Sequence, residues 1–207
     1  SVWTSDSSLA CRSAAGLGRS ASASVTAGSQ TGTVTEAASY DAPTIAGGAA
    51  NVASRGVDML SVVGSNIGAA SYSAKGRLGG TGCEASVWTS DSSLACRSAA
   101  GLGGTTPVAI TLCLVSSSLS DATSYDVPPV SGILISNVMT LGSSFVTLSG
   151  SDFGSFDTTV GVRIESSSCI ASKWFSLSSV VCHVTAGVSS SASVAVLQFY
   201  DFMTFIL

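Results

Sequence analysis

Charge is what this sequence has least of. Charged residues fill only 10% of its 207 positions, with three glutamates and two lysines among them, and there is a single histidine besides. Eight Lys and Arg scattered singly form no basic stripe to neutralise phosphates, and a net charge of −4 opposes a nucleic-acid partner. So few titratable groups leave little material for acid–base chemistry, and the composition points away from an enzyme. Long hydrophobic runs are missing too. The longest, Phe199–Leu207, falls far short of the roughly 20 residues that a helix needs to cross a bilayer, so no membrane insertion is expected from this segment. The chain opens without an initiator Met, a basic n-region or an apolar h-region, so any signal peptide is expected to have been removed or to lie upstream. No window shows a sustained 3.6-residue period with helix caps, so helix content should be close to zero. Ordinary disorder is disfavoured as well, because the chain is 45% hydrophobic and nearly uncharged.

What the sequence has in abundance is repetition. Ser1–Gly18 recurs without a change at Ser86–Gly103, and SYDAPTI from Ser39 to Ile45 is matched by SYDVPPV from Ser124 to Val130. A weaker copy follows 86 positions on, where Gly56, Gly64, Gly68, Cys83, Trp88 and Cys96 fall on Gly142, Gly150, Gly154, Cys169, Trp174 and Cys182 without a gap. Three units follow from this register. Residues 1–42 match only the second half of a module, residues 43–128 form a complete one, and residues 129–207 form another whose last strand is atypical. The chain is expected to begin in mid-module. Within each unit, runs such as Met59–Val63 and Phe145–Ser149 alternate apolar with small polar residues and end in Gly-Ser-(Asn/Asp)-(Ile/Phe)-Gly turns. Several short strands in so few residues predict an all-β chain of small antiparallel sandwiches.

The cysteines follow the same register. Cys83 and Cys96 share their spacing with Cys169 and Cys182, and a spacing kept between divergent copies argues for one disulfide per module and an oxidising compartment. A zinc site competes for these residues, but it wants four ligands in tight pairs, and only His183 lies nearby. Cys11 corresponds to Cys96, and its partner position falls before Ser1. Cys113 has no counterpart. These two thiols are unpaired, joined to each other or linked to a neighbouring chain, and the sequence leaves all three open.

Taken together, SSFVTLSGSDFG (Ser143–Gly154), its counterpart DMLSVVGSNIG, the passage Val162–Cys169, the paired cysteines and the module-ending YDAP and YDVP resemble the IPT/TIG family. The resemblance implies tandem immunoglobulin-like β-sandwich modules, as in cell-surface receptors and in the very large extracellular repeat proteins of algae and other protists. It implies an extracellular or cell-surface setting. It does not select among spacer, adhesin and dimerisation unit.

Candidate sites are few. No catalytic residue, cofactor or metal site is expected. His183 lacks a nearby carboxylate pair. Asp152 and Asp157 have the right oxygen chemistry for calcium, but module two carries Asn66 and Ser71 in their places. Asp6 and Asp91 sit in Trp-Thr-Ser-Asp-Ser-Ser, where the short polar side chains are expected to close an Asx or Ser/Thr turn. Trp3, Trp88 and Trp174 recur at one position, where the simplest role is packing on the disulfide or sheet edge. Asn51, Asn66 and Asn137 lie in no N-x-S/T sequon, so glycans would be O-linked, with Ser116, Ser117, Ser118, Ser189, Ser190 and Ser191 as candidates. The apolar residues Phe199, Tyr200, Phe202, Met203, Phe205, Ile206 and Leu207 are the candidate subunit interface, because such a run left as an exposed edge strand is an aggregation hazard. The function expected is a structural component of an extracellular fibre that polymerises head to tail with itself. The alternative is an adhesin or receptor ectodomain that binds a glycan or protein.

Overall fold

The computed structural model describes residues 1–18, 20–47, 51–134, 137–156, 159–188 and 192–198. These residues carry nineteen strands and no helix, as small and β-branched residues alternating between Gly/Ser turns dictate. They form immunoglobulin-like β-sandwiches.

The first strands are two separate hairpins, β1 (Val2–Ser5) with β2 (Ser8–Ala10), and β3 (Ala21–Ala27) with β4 (Gln30–Ala38). The complete sandwich follows. One sheet is built from β5 (Thr44–Gly47), β6 (Met59–Ser65), β9 (Ala85–Ser90) and β10 (Ser93–Arg97) in the order β5-β6-β10-β9. The facing sheet is β12-β11-β7-β8, from β7 (Lys75–Leu78), β8 (Thr81–Gly82), β11 (Thr105–Leu112) and β12 (Val115–Ser124). Alternate side chains point inward, as the two-residue period of a strand requires. Leu60, Val62, Leu94, Val108, Ile110 and Leu112 form the core between the sheets, all 5% exposed or less.

The last sandwich repeats this arrangement. β13 (Val130–Ile133), β14 (Phe145–Gly150), β18 (Ser179–His183) and β17 (Ala171–Ser176) pair in that order, opposite β16 (Ser167–Ser168), β15 (Val160–Ile164) and β19 (Val194–Gln198). Its core gathers Val146, Leu148, Phe153, Val162 and Val180. The agreement extends to single hydrogen bonds. Ile67 N donates to Asp91 O at 2.8 Å, and its counterpart Phe153 N donates to Leu177 O at 3.0 Å. Gly76 N in β7 donates across the sandwich to Ser86 Oγ at 2.8 Å, and Val162 N does the same to Ser172 Oγ at 3.1 Å. The turn after β6 holds Asn66 at φ 57°, and the turn after β14 holds Asp152 at 59°. Asn and Asp are the non-glycine residues that enter this left-handed region most readily.

Ser54, fully buried, donates its hydroxyl to Asp152 O at 3.1 Å, joining the lower loops of the complete sandwich to the upper turn of the next. Beside it Leu102 is 4% exposed. The identical residue one repeat earlier, Leu17, packs on the core of the complete sandwich. Their counterpart one repeat later, Val188, is 91% exposed.

Candidate interaction site

The cysteines are placed first, because they fix the frame. Cys83 and Cys96 are joined by a disulfide with Cα atoms 5.6 Å apart, and Cys169 and Cys182 by another at 5.8 Å. Each ties the end of the β7–β8 or β15–β16 hairpin to the central strand of the opposite sheet, β10 or β18. The two disulfides belong to an oxidising compartment, and the protein is extracellular or cell-surface. Cys11 and Cys113 are both free and exposed. Cys113 sits in the β11–β12 turn at φ 50°, with its sulfur 3.5 Å from Tyr72 O.

Around this frame the remaining candidates fall into place. Trp88 and Trp174 pack against their respective cores. In both, the indole Nε1 is buried with no acceptor. The ring, then, is what the position uses. Trp3, at the same repeat position, is 71% exposed. His183 lies at the end of β18 and stacks on Phe145, ring centroids 4.7 Å apart.

At the Asp91 turn the short polar side chains close the local turn as expected, through the serine: Ser90 Oγ accepts Ser92 N at 3.2 Å, while the Asp91 carboxylate reaches across to accept Gly68 N at 2.9 Å. Asp152 carries its role through its backbone carbonyl, as acceptor for Ser54. Of the candidate glycan serines, Ser116 and Ser118 are exposed and Ser117 half-buried along β12. Ser189, Ser190 and Ser191, Asp157, and the whole run Phe199–Leu207 lie outside the described residues.

The half-module is the feature with the plainest chemistry. In the complete sandwich, β10 is flanked by β6 and β9, and β11 by β7 and β12. The counterparts β2 and β3 each have one neighbour only. Side chains that the complete sandwich buries are therefore bare. Leu9 is 44% exposed where Leu94 is fully buried, and Val25 is 49% exposed where Ile110 is fully buried. Cys11 is exposed where Cys96 is buried and disulfide-bonded. Two strand edges, apolar side chains and a thiol are thus exposed in residues 1–38. Sequence reasoning named Cys11 but passed over Leu9 and Val25. The repeat register carried that signal, since both align with residues of apolar runs in module two.

Comparison with known proteins adds a family. Residues 128–198 match the model of the IPT/TIG domain. No curated protein gives a match. Among solved structures, the chain resembles the plexin A4 extracellular region at 16% identity and a TM-score of 0.36, over 75% of this chain and 16% of that one. It also resembles a surface glycan-binding protein from Prevotella bryantii at 10% identity and a TM-score of 0.48, over 77% of this chain and 40% of that one. A tandem of titin domains I9–I11 aligns at 8% identity with a TM-score of 0.26, over 86% of this chain and 69% of that one.

Proposed function

The chain carries an IPT/TIG domain at residues 128–198 with a second copy of the same fold before it, and from that premise we propose that it is a non-catalytic structural subunit of an extracellular fibre, polymerising head to tail. The module limits in this reading are residues 1–42, 43–128 and 129–207, the first being half a module. The observation behind it is the serial repeat: two copies of one sandwich joined through the Ser54–Asp152 hydrogen bond, with a further half-copy before them.

In this reading neighbouring subunits join by strand addition. The run Phe199–Leu207 has the composition of a strand that adds to an open edge, and strand addition joins backbone to backbone without needing a specific side-chain code. A contact that is heterologous and does not close on itself propagates as a filament. The scarcity of charge fits as well, because it allows modules to pack end to end without repulsion.

Light scattering coupled to size exclusion tests this over a range of concentrations. Species much heavier than the 20.5 kDa chain, growing with concentration, are expected. A mass that stays at one chain throughout, under non-reducing conditions, would overturn the proposal. Saturable binding of a defined glycan or protein by such a monomer would favour the adhesin reading instead.

A further inference from the structure

Two domains in one chain swivel about their linker unless a further contact fixes the angle between them. The linker between the complete and last sandwiches has little freedom of its own. Asp126 N donates to Val52 O at 2.8 Å, the last hold of the complete sandwich, and Ser151 N donates to Pro129 O at 3.2 Å, the first hold of the next. Val127 and Pro128 are all that lies between. Each precedes a proline, which keeps it extended, and the rings of Pro128 and Pro129 fix their φ angles. Gly150 makes this seating possible, because a Cβ there would collide with Pro129 O.

The further contact is the Ser54 hydroxyl on Asp152 O at 3.1 Å. Its donor is held from behind. Ala53 N donates to the Asp58 carboxylate at 2.7 Å, Gly56 N closes the turn on Ala53 O at 3.0 Å, and Ser54 O accepts Gly101 N at 2.9 Å. Asp58 is sewn in turn to the fully buried Ser98, whose N–H it accepts at 2.8 Å and whose Oγ accepts the Asp58 N–H at 3.1 Å. The acceptor is held as firmly. Asp152 sits at φ 59° between Ser151, bonded to Pro129, and Phe153, whose N–H donates to Leu177 O at 3.0 Å and whose ring is fully buried in the last core.

A leucine lies next to this bond. Leu102 follows Gly101 and is 4% exposed. The identical residue one repeat earlier, Leu17, packs on the core of the sandwich that follows it. The position therefore serves the forward junction.

We propose that the Ser54 hydroxyl is the pin that locks the complete and last sandwiches into one rigid unit. The Val127-Pro128 linker and the Ser54–Asp152 bond attach the two bodies at separate points, and two points remove the swivel that either alone allows. Ser54 is thus a positioning residue. It sets how one sandwich is held against the other, and it does so whether or not copies of the chain join, so the inference stands apart from the fibre reading.

Residual dipolar couplings of the full chain at low concentration in a weakly aligning medium test this. One alignment tensor should fit both sandwiches. Ser54→Ala should require two tensors and speed exchange of the Ser151 amide, which the linker protects, about 3- to 10-fold. The Gly101 amide, bonded to the Ser54 backbone, should keep its protection in that variant. Asp152→Asn is the control, because the acceptor is a backbone carbonyl and Asn66 holds the same φ region in the complete sandwich; it should change nothing. Two tensors in the unaltered chain would overturn the proposal, as would one tensor with unchanged Ser151 exchange in Ser54→Ala. Equal loss of protection at Gly101 would make Ser54 a packing residue of its own sandwich and overturn it too. Loosening by Asp152→Asn would assign the contact to the carboxylate instead.

Discussion

Replacing Gly101 with alanine tests, with a single methyl group, the latch that the Tyr125 ring forms by lying over that glycine. The added Cβ would stand 2.5 Å from Cζ and Oη of Tyr125, about 1 Å inside normal contact. Gly101 does not have a positive φ, so the backbone accepts alanine and only the contact objects. A ring that yields within the packed site costs about 1–3 kcal/mol by overpacking. A ring driven out forfeits most of its buried area, about 4–6 kcal/mol at 25 cal/mol per Å², so yielding is the cheaper response and sets the expectation. Alanine returns about 0.4–1 kcal/mol by restricting the unfolded chain, which leaves a net loss of about 1–2 kcal/mol. Gly187→Ala is the matched control: it keeps the unfolded-state gain and meets nothing within 4 Å among the described residues, so it should be neutral or slightly stabilising. Denaturant unfolding gives the global effect, and hydrogen exchange at the Val52 and Asp126 amides, which hold the latch, gives the local one. Equal stability of the two variants, or unchanged protection at Val52 in Gly101→Ala, would refute the reasoning.

Three further outcomes are expected. Removing the Cys83–Cys96 disulfide by a double alanine substitution should destabilise its sandwich by about 2–4 kcal/mol, since it closes a loop with a sequence separation of 13; urea midpoints unchanged by reduction would contradict this. Trp88→Phe should cost under about 1.5 kcal/mol while Trp88→Ala costs about 3–5, because the indole N–H has no acceptor and only the ring packs; equal losses in thermal unfolding would assign the N–H a role. Cys11 should be alkylated readily by iodoacetamide in the dissociated chain and protected in assembled material, and equal labelling in both would remove the half-module from the joint.

How much of this was legible in the sequence varies from element to element. The strand pairings follow from alternation and from the register of the repeat. Val146 and Leu148 on β14 and Val180 and Cys182 on β18 all point inward at two-residue intervals, as a pattern of period two dictates. The cysteine pairing was legible because divergent copies kept one spacing. The latch was not. Tyr40 and Tyr125 stand out in the sequence only as part of a module ending, and nothing in Ser-Tyr-Asp says that the ring sits on a glycine 24 residues earlier. That contact depends on β11 and β12 returning the chain to the same end of the sandwich. Nor was Ser54 legible as a joint residue. Its hydroxyl is ordinary in a serine-rich chain until the fold buries it against Asp152. The Asp91 carboxylate went to Gly68 rather than to its own turn for the same reason: facing turns meet only once both sheets are stacked.

The central claim is that copies of this chain join end to end, and negative-stain electron microscopy of the native material under non-reducing conditions tests it most directly. Unbranched filaments with an axial repeat of a few sandwich modules are predicted. Uniform, monodisperse particles of single-chain mass would contradict it.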